Sequence, residues 1–377
     1  MIYFDNAATG GKKPDTVLTA VTSAVKICAN PGRSGHHLAL SCATQVENCR
    51  AALNSFFEGY GFDRVIFTKN CTEALNIALF GVLQKGDHVI ATCLEHNSVL
   101  RPLEHLRQQG IITYDIWSLR GEGAQAKLYP EDLLPLIKPN TRLVAVTSAS
   151  NVTGYTPDLT SIRKILPQNV LLLCDGAQGA GHFPIKMKGT GIDLLTIAGH
   201  KGMLGIQGSG ALLFSERAEP RPLLYGGTGS MSISLDMPDF SPDNLEAGTL
   251  AFPAILSLLE GTRYLTLHQN EISEKLCSLS AYLLQNLAKL SGYTPYSVPN
   301  PCGIVSFLHK RKQSEILAEQ LSSKYDIAVR GGLHCAPLAH ENLGTLDGGL
   351  LRVSLSHYNT EKEVDRLIYA LSRLDTP

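Results

Sequence analysis

The sequence predicts an α/β fold with a mostly parallel central sheet and a small α+β domain. Two observations carry this prediction. Between residues 63 and 214, short apolar runs typical of buried strands alternate with helical segments, as in the βαβ units that build parallel sheets. After a long helical segment the pattern changes, and strands and helices are mixed from residue 303 to residue 374. This later region is therefore expected to form the smaller domain.

Each predicted strand is a short apolar run bounded by polar or turn-forming residues. In the central sheet, several strands continue into a polar tip. With these tips, the predicted strands cover residues 63–70, 87–97, 111–116, 142–154, 170–175, 194–198, 211–214, 303–308, 327–330 and 350–355.

The helices are predicted from segments of helical periodicity between turn residues. The segment that begins at residue 253 is long enough to bridge two domains. The predicted helices cover residues 16–28, 41–57, 72–83, 130–137, 253–288, 313–325 and 361–374.

The composition favours a small-molecule enzyme. The 377 residues carry a formal net charge of −1 and 18% charged residues, so no basic field indicates a nucleic acid or an anionic lipid as partner. No apolar run reaches the roughly 18 residues of a membrane-spanning helix, and the first residues lack a basic start followed by an apolar core. We therefore expect a cytoplasmic protein that binds neither nucleic acid nor membrane.

The nine cysteines contain no Cys-x-x-Cys pair. In a chain of this length they indicate neither a disulfide framework nor a zinc site. We expect no metal, and most of the cysteines should be reduced, buried small residues.

The stretch around Lys201 is unusual. An apolar run over residues 194–198 leads into His200 and Lys201, and the glycines of this turn remove neighbouring side chains. A desolvated lysine loses its proton easily and can then hold an aldehyde as a Schiff base. The alternative is a surface lysine in a glycine-rich loop.

Asp175 favours the Schiff-base interpretation, because it also ends an apolar run. A pyridine cofactor needs an acidic partner for its ring nitrogen. A carboxylate at the end of one strand and Lys201 after the next fit a pyridoxal 5'-phosphate (PLP) site at the carboxyl edge of an open sheet.

Polar residues recur after most of the predicted central strands, which indicates one shared site. Cys71 and Thr72 begin a helix, whose free N–H groups would bind a phosphate, although Thr72 could be an ordinary cap. His96 could place its ring on a cofactor face, and Asn151 could bind a ring substituent. The polar residues after the strands are Thr72, His96, Asn151, Asp175, Gln178, His200 and Lys201.

The combined motifs resemble the class V aminotransferase group of fold-type I PLP enzymes. Within that group the chain is similar to cysteine desulfurases and selenocysteine lyases of the SUF type. The resemblance runs from Tyr3 to Thr360. The motifs that carry it are Asp175-Gly-Ala-Gln178, Gly199-His-Lys201, Glu246-Ala-Gly-Thr249, Arg330-Gly-Gly-Leu-His-Cys335 and Arg352-Val-Ser-Leu-Ser-His-Tyr-Asn359.

This resemblance implies a homodimer with a large PLP-binding domain over residues 15–255. Residues 1–14 and 256–377 would form the small domain from both chain ends. It also implies roles for the cofactor-binding residues. Lys201 would hold PLP as a Schiff base, Asp175 would pair with the ring nitrogen, and His96 would stack on the ring. Asn151 and Gln178 would contact the ring hydroxyl. The phosphate would be bound by Thr72 and His200, and Thr249 would bind the phosphate of the cofactor in the partner subunit.

The resemblance further implies that Cys335 is the nucleophile. Its thiolate would attack the sulfur of L-cysteine, leaving alanine and a persulfide that passes to an acceptor protein, for example in iron–sulfur cluster biogenesis. Arg352 would bind the substrate carboxylate, together with Arg330 and Asn151. Arg330 and His334 would provide positive charge near the thiol. The alternative for Cys335 is an inert thiol.

Two positions depart from the family pattern. Ala198 stands where the family usually has serine, which removes a hydroxyl near the phosphate. Leu333 stands where SUF-type enzymes often have histidine, which makes the approach to the thiol less polar. Substrate choice therefore stays open between L-cysteine and L-selenocysteine. The sequence also leaves open a class V aminotransferase, which would not need Cys335, and a catalytically silent partner-binding protein.

Overall fold

A computed structural model of the protein describes residues 1–27 and 29–375, with the side chain of Asp375 left out. It contains a large sheet and two small ones. The strands are β1 (Ile2–Tyr3), β2 (Val65–Thr68), β3 (Asp87–Thr92), β4 (Ile112–Trp117), β5 (Thr141–Thr147), β6 (Leu171–Asp175), β7 (Leu194–Ala198), β8 (Gly210–Phe214), β9 (Tyr293–Pro295), β10 (Ile304–His309), β11 (Ile327–Ala328) and β12 (Leu351–Ser354).

Helices pack against these sheets. The longest of them, α7, packs against the first two helices and the last helix. The helices are α1 (Asp15–Lys26), α2 (His37–Phe56), α3 (Cys71–Val82), α4 (Asn97–Gln108), α5 (Leu159–Ile165), α6 (Met187–Thr190), α7 (Phe252–Leu287), α8 (Ser314–Tyr325), α9 (Pro337–Asn342) and α10 (Glu361–Asp375).

The large sheet has the strand order β2-β8-β7-β6-β5-β3-β4. The strands from β7 to β4 pair in parallel, whereas β8 runs antiparallel to both β2 and β7. Alternate residues of β6 enter apolar clusters on opposite faces, with Leu172 in one and Leu173 in the other. A sheet covered on both faces explains why its strands are continuous apolar runs. The predicted fold class is confirmed.

The later part of the chain forms the smaller sheets. Strands β9, β10 and β12 make an antiparallel sheet, and β1 pairs in parallel with β11. The first residues of the chain therefore lie against its last third. The division into residues 15–255 and the two chain ends stays a prediction, and residues 376–377 lie outside the described part.

Several predicted helices differ from the observed ones. The segment 130–137 is not an α-helix but two short 3-10 turns, because Pro135 lacks an N–H and disfavours helical geometry at the residue before it. Helix α2 begins four residues earlier than predicted, where the His36 ring accepts a hydrogen bond from the Ala39 N–H. Cys28, the predicted end of the first helix, lies outside the described residues.

Four helices were not predicted. Helix α4 contains Pro102 and follows a strand tip, which hides its periodicity. Helices α5, α6 and α9 have only seven, four and six residues, too few for a periodic pattern. Within the described ranges, no helix combines the length and the apolar character needed to cross a membrane.

Candidate active site

The carboxyl ends of the central parallel strands and the first turn of α3 enclose one cavity. Eight of the predicted site residues line it. The full lining is Asn70, Cys71, Thr72, Leu75, His96, Ser98, Thr147, Asn151, Asp175, Ala177, Gln178, Ala198, His200 and Lys201. The expectation that polar strand ends converge is therefore met.

Lys201 follows β7 in a turn that requires glycine. A Cβ on Gly199 would lie 2.1 Å from Ser209 Oγ, so a side chain there would collide. Lys201 is half-buried in the cavity wall. Burial lowers the pKa of its amine, and the negative charge of Asp175 opposes part of this effect. The alternative of a surface lysine is wrong, and the amine is suited to reach its neutral, nucleophilic form.

Asp175 is the last residue of β6 and is buried. Its Oδ1 accepts a hydrogen bond from the Ala177 N–H at 2.9 Å and one from the Cys71 thiol at 3.4 Å. A carboxylate fixed in this way at the cavity wall can face a cationic ring nitrogen.

The start of α3 differs from the prediction in two details. Asn70 is the cap, since its Oδ1 accepts from the Glu73 N–H at 2.9 Å, so Thr72 is not an ordinary cap. The Thr72 hydroxyl instead lies 2.8 Å from Ser98 Oγ. The Cys71 side chain points to Asp175, which leaves its main-chain N–H in the first turn as the group it offers to a phosphate.

His96 caps α4 and lines the cavity. Its Nδ1 accepts from the Ser98 N–H at 3.0 Å, which orients the ring. Burial is the main cause that lowers the pKa of His96, so the ring is neutral at pH 7. Ser98 links His96 to Thr72 but was missed from the sequence, because α4 and its cap were not recognised.

The remaining polar groups surround the same space. His200 Nδ1 lies 3.0 Å from Thr9 Oγ1, and burial lowers the pKa of His200 to about 4. Gln178 Nε2 donates to the Ala7 carbonyl at 3.0 Å, while its Oε1 is buried without a partner. A buried acceptor without a donor is costly, and the ring hydroxyl of PLP would satisfy it. The residues present therefore fit this cofactor.

Cys335 is exposed, and among the described cysteines it alone is so. Two hydrogen bonds fix its segment beside the cavity. The Asn97 N–H donates to the Cys335 carbonyl at 2.7 Å, and Asn151 Nδ2 donates to the His334 carbonyl at 2.6 Å. Most of the other described cysteines are buried, as expected. Cys335 is thus accessible to a substrate, and the alternative of an inert thiol is left to the activity tests below.

The two arginines lie at the same edge. Arg330 Nη2 lies 4.0 Å from Cys335 Sγ, as predicted. Arg352 is buried, with Nη2 2.8 Å from Asp5 Oδ1, and its Nη1 donates to the Asn151 carbonyl at 3.0 Å. Its Nε is buried without a partner. Asp5, which the sequence did not indicate, thus shares the guanidinium that was expected to bind a substrate carboxylate.

His334 and Thr249, two further residues with predicted roles, lie outside the lining of the cavity. His334 is wrong as a source of positive charge, because burial lowers the pKa of its ring to about 2. Its Nε2 lies 3.0 Å from the Leu350 carbonyl. Thr249 is exposed and lies outside the lining of the cavity. Its predicted contact with a cofactor in the partner subunit stays a prediction.

Comparison with known proteins gives a consistent result. The family description "Aminotransferase class-V" matches residues 2–367. A probable cysteine desulfurase of Methanothermobacter thermautotrophicus is 31% identical, covering 97% of this chain and 92% of the relative. A cysteine desulfurase of Yersinia pseudotuberculosis is 30% identical, and the match covers 100% of this chain and 93% of the relative.

Solved structures of similar proteins share the fold. A cysteine desulfurase of Thermococcus onnurineus superposes with a TM-score of 0.88 at 28% identity, covering 99% of this chain and 94% of the other. A cysteine desulfurase of Escherichia coli superposes with a TM-score of 0.87 at 29% identity, covering 98% of this chain and 94% of the other.

The chain therefore belongs to the class V aminotransferase family, whose members in general depend on PLP. Within this family it groups with the cysteine desulfurases.

Proposed function

We propose that this protein is a PLP-dependent cysteine desulfurase, which converts L-cysteine to L-alanine and carries the sulfur as a persulfide on Cys335. One observation supports this most directly. The exposed Cys335 thiol belongs to a segment hydrogen-bonded to Asn97, the first residue of α4, and to Asn151, which follows β5 and lines the cavity. An aminotransferase would have no use for a thiol in this position.

The cavity residues would hold the cofactor. PLP, when bound, withdraws electrons from the substrate Cα. Lys201 would hold PLP as a Schiff base, and its amine can accept and return a proton because burial lowers its pKa. Asp175 would pair with the ring nitrogen, and the neutral His96 would lie on the ring face. Gln178 Oε1 would accept from the ring hydroxyl.

The phosphate would lie at the first turn of α3, where Thr72 and the free N–H groups are donors. His200 is neutral at pH 7 and would donate a hydrogen bond without adding charge. Arg352 would bind the substrate carboxylate through the part of its guanidinium that Asp5 does not occupy. Arg330 would assist it and stabilise the nearby thiolate.

Cys335 would carry out the sulfur transfer. Its thiolate attacks the substrate sulfur, so that a sulfur–sulfur bond forms while the carbon–sulfur bond breaks. The electron pair stays with the substrate carbon, which takes up a proton to give alanine. One L-cysteine and one thiol thus become one L-alanine and one persulfide. Because Cys335 is exposed, the sulfur can pass to an acceptor protein.

The test is release of alanine and sulfide from L-cysteine in the presence of a reductant, compared with L-selenocysteine. We expect Cys335→Ala to keep the cofactor but to lose at least 90% of sulfide release, roughly the loss expected when a nucleophile is removed. Cys277→Ala, at a half-buried cysteine of α7, is the matched control and should keep full activity. Sulfide release by Cys335→Ala at the wild-type rate would favour an elimination-type lyase, and preference for selenocysteine would favour a selenocysteine lyase.

A further inference from the structure

A second cysteine lies inside the cavity, in contact with the carboxylate assigned to the cofactor ring. Cys71 Sγ is 3.4 Å from Asp175 Oδ1 and 3.4 Å from Thr196 Oγ1. Cys71 is buried, with 8% of its surface exposed. It begins α3, whereas Asp175 ends β6. The contact therefore joins the phosphate end of the site to its ring end.

Cys71 is held as a thiol. Burial, followed by the negative charge of Asp175, raises the pKa of Cys71 well above its ordinary value. The S–H group thus stays a hydrogen-bond donor at neutral pH, and Cys71 does not compete with Cys335 as a nucleophile. A thiol has one proton, and the charged Asp175 oxygen is a stronger acceptor than the Thr196 hydroxyl.

Both hydrogen bonds to the Asp175 side chain reach the same oxygen. The Ala177 N–H and the Cys71 S–H donate to Oδ1. Two donors on one oxygen fix the rotation of the carboxylate and leave Oδ2 to accept from a ring nitrogen. Gln178 Oε1, buried and without a partner, lines the same cavity and independently indicates a ligand there.

We propose that Cys71 is a positioning residue for the cofactor ring, whose S–H fixes the Asp175 carboxylate so that Oδ2 meets the ring nitrogen. This proposal rests on the proposed role of Asp175 as the partner of PLP. Cys71 would act only through this pairing, so its effect should disappear with a cofactor that has no ring nitrogen.

The test compares binding of PLP and of its deaza analogue, in which carbon replaces the ring nitrogen, to the apoprotein. Wild type should bind PLP more tightly than the analogue. Cys71→Ala should reduce this preference about fivefold, since a thiol is a weak donor, and should leave binding of the analogue unchanged. Cys71→Ser keeps a donor and should restore the preference. Cys49→Ala, at a buried cysteine of α2 outside the cavity, is the control and should match wild type.

The outcomes that would contradict the proposal also distinguish a failure of the role of Cys71 from a failure of the cofactor assignment. If Cys71→Ala weakens both ligands equally, or if Cys71→Ser behaves like Cys71→Ala, Cys71 only fills space and the proposal is wrong. If Cys71→Ala does not fold, Cys71→Val replaces it as the variant without a donor. If wild type itself binds both ligands equally, Asp175 does not pair with the ring nitrogen, and the cofactor assignment fails before Cys71 is considered.

Discussion

At the scale of single residues, the carboxyl group of Glu95 is buried directly before His96. Its Oε1 accepts from the Thr92 hydroxyl at 2.6 Å and from the Thr147 N–H at 2.8 Å. Burial raises the pKa of Glu95 from 4.5 to about 8, and the charge of Asp175 adds to this effect. The side chain therefore carries a proton at neutral pH and ties the ends of β3 and β5 together as a neutral group.

The raised pKa of Glu95 predicts that the stability of the protein depends on pH. The folded state binds the proton of Glu95 more tightly than the unfolded state does. The stabilisation of the fold by protonated Glu95 is therefore fully present below pH 4.5 and is lost as the pH rises toward 8. Glu95→Gln imitates the neutral acid at every pH. Relative to wild type, its free energy of unfolding should therefore rise by about 1 kcal/mol per pH unit between pH 5 and 8. Urea unfolding at several pH values measures this, and parallel curves for the two proteins would contradict it.

The role proposed for Lys201 predicts that replacing it removes the absorbance of the PLP Schiff base, called the chromophore below, without unfolding the protein. Lys201→Ala should lose the yellow absorbance and at least 99% of activity, because no other residue replaces its amine, while circular dichroism stays unchanged. A single half-buried side chain in a turn contributes little to the core. Lys188→Ala, at an exposed lysine of α6, is the control. A Lys201→Ala protein that kept both the chromophore and the activity would show that the site is misassigned.

At the scale of elements, the loop before Cys335 is held by close packing. A Cβ on Gly331 would lie 2.5 Å from the carbonyl carbon and oxygen of Ser314, at the start of α8. Gly332 lies beside it and its N–H donates to the Ser314 hydroxyl at 2.9 Å. These glycines thus allow close approach of two backbone segments.

Gly331→Ala should displace the loop that carries Cys335. We expect it to cost about 1–3 kcal/mol of stability and to reduce sulfide release, while the absorbance of the cofactor is kept, because the cavity wall is untouched. Gly35→Ala is the matched control, since a Cβ there meets open space. Full activity and stability of Gly331→Ala would show that the close contact does not determine the position of the loop.

The sequence could predict the elements that position the site, because buried strands are continuous apolar runs and parallel strands end at one edge. It could not predict contacts between distant segments. Arg352 pairs with Asp5, 347 residues away in the sequence, and the Cys71 thiol turns toward Asp175 rather than toward a phosphate. Such side-chain orientations depend on tertiary packing, which a local sequence pattern does not predict. The helix predicted over 130–137 failed for a local reason, the proline at 135.

At the scale of the whole molecule, the segment from residue 225 to residue 249 carries a group of exposed apolar side chains. Ile233 and Leu235 are fully exposed, and Tyr225 is 77% exposed. Together with Thr249, which lies outside the cavity of its own chain, they favour the homodimer that the family resemblance implies. In such a dimer the segment from 225 to 249 would lie against the partner subunit.

We expect sedimentation to give a dimer of the 40.7 kDa chain. The double variant Ile233→Asp and Leu235→Asp should weaken the dimer at least tenfold, since two charges would be buried at the interface. Leu267→Asp, at an exposed leucine of α7, is the control and should remain a dimer. A wild-type monomer at micromolar concentration would contradict this account of the surface.

The most direct test of the central claim is the mass of the Cys335 peptide after a brief reaction with L-cysteine, without a reductant. The account predicts an increase equal to one sulfur atom on this peptide in wild type, and none in Lys201→Ala. The peptides with Cys71 and Cys277 should stay unchanged. If alanine and sulfide are formed while Cys335 carries no added sulfur, or if the sulfur is found on another cysteine, the proposed mechanism is contradicted.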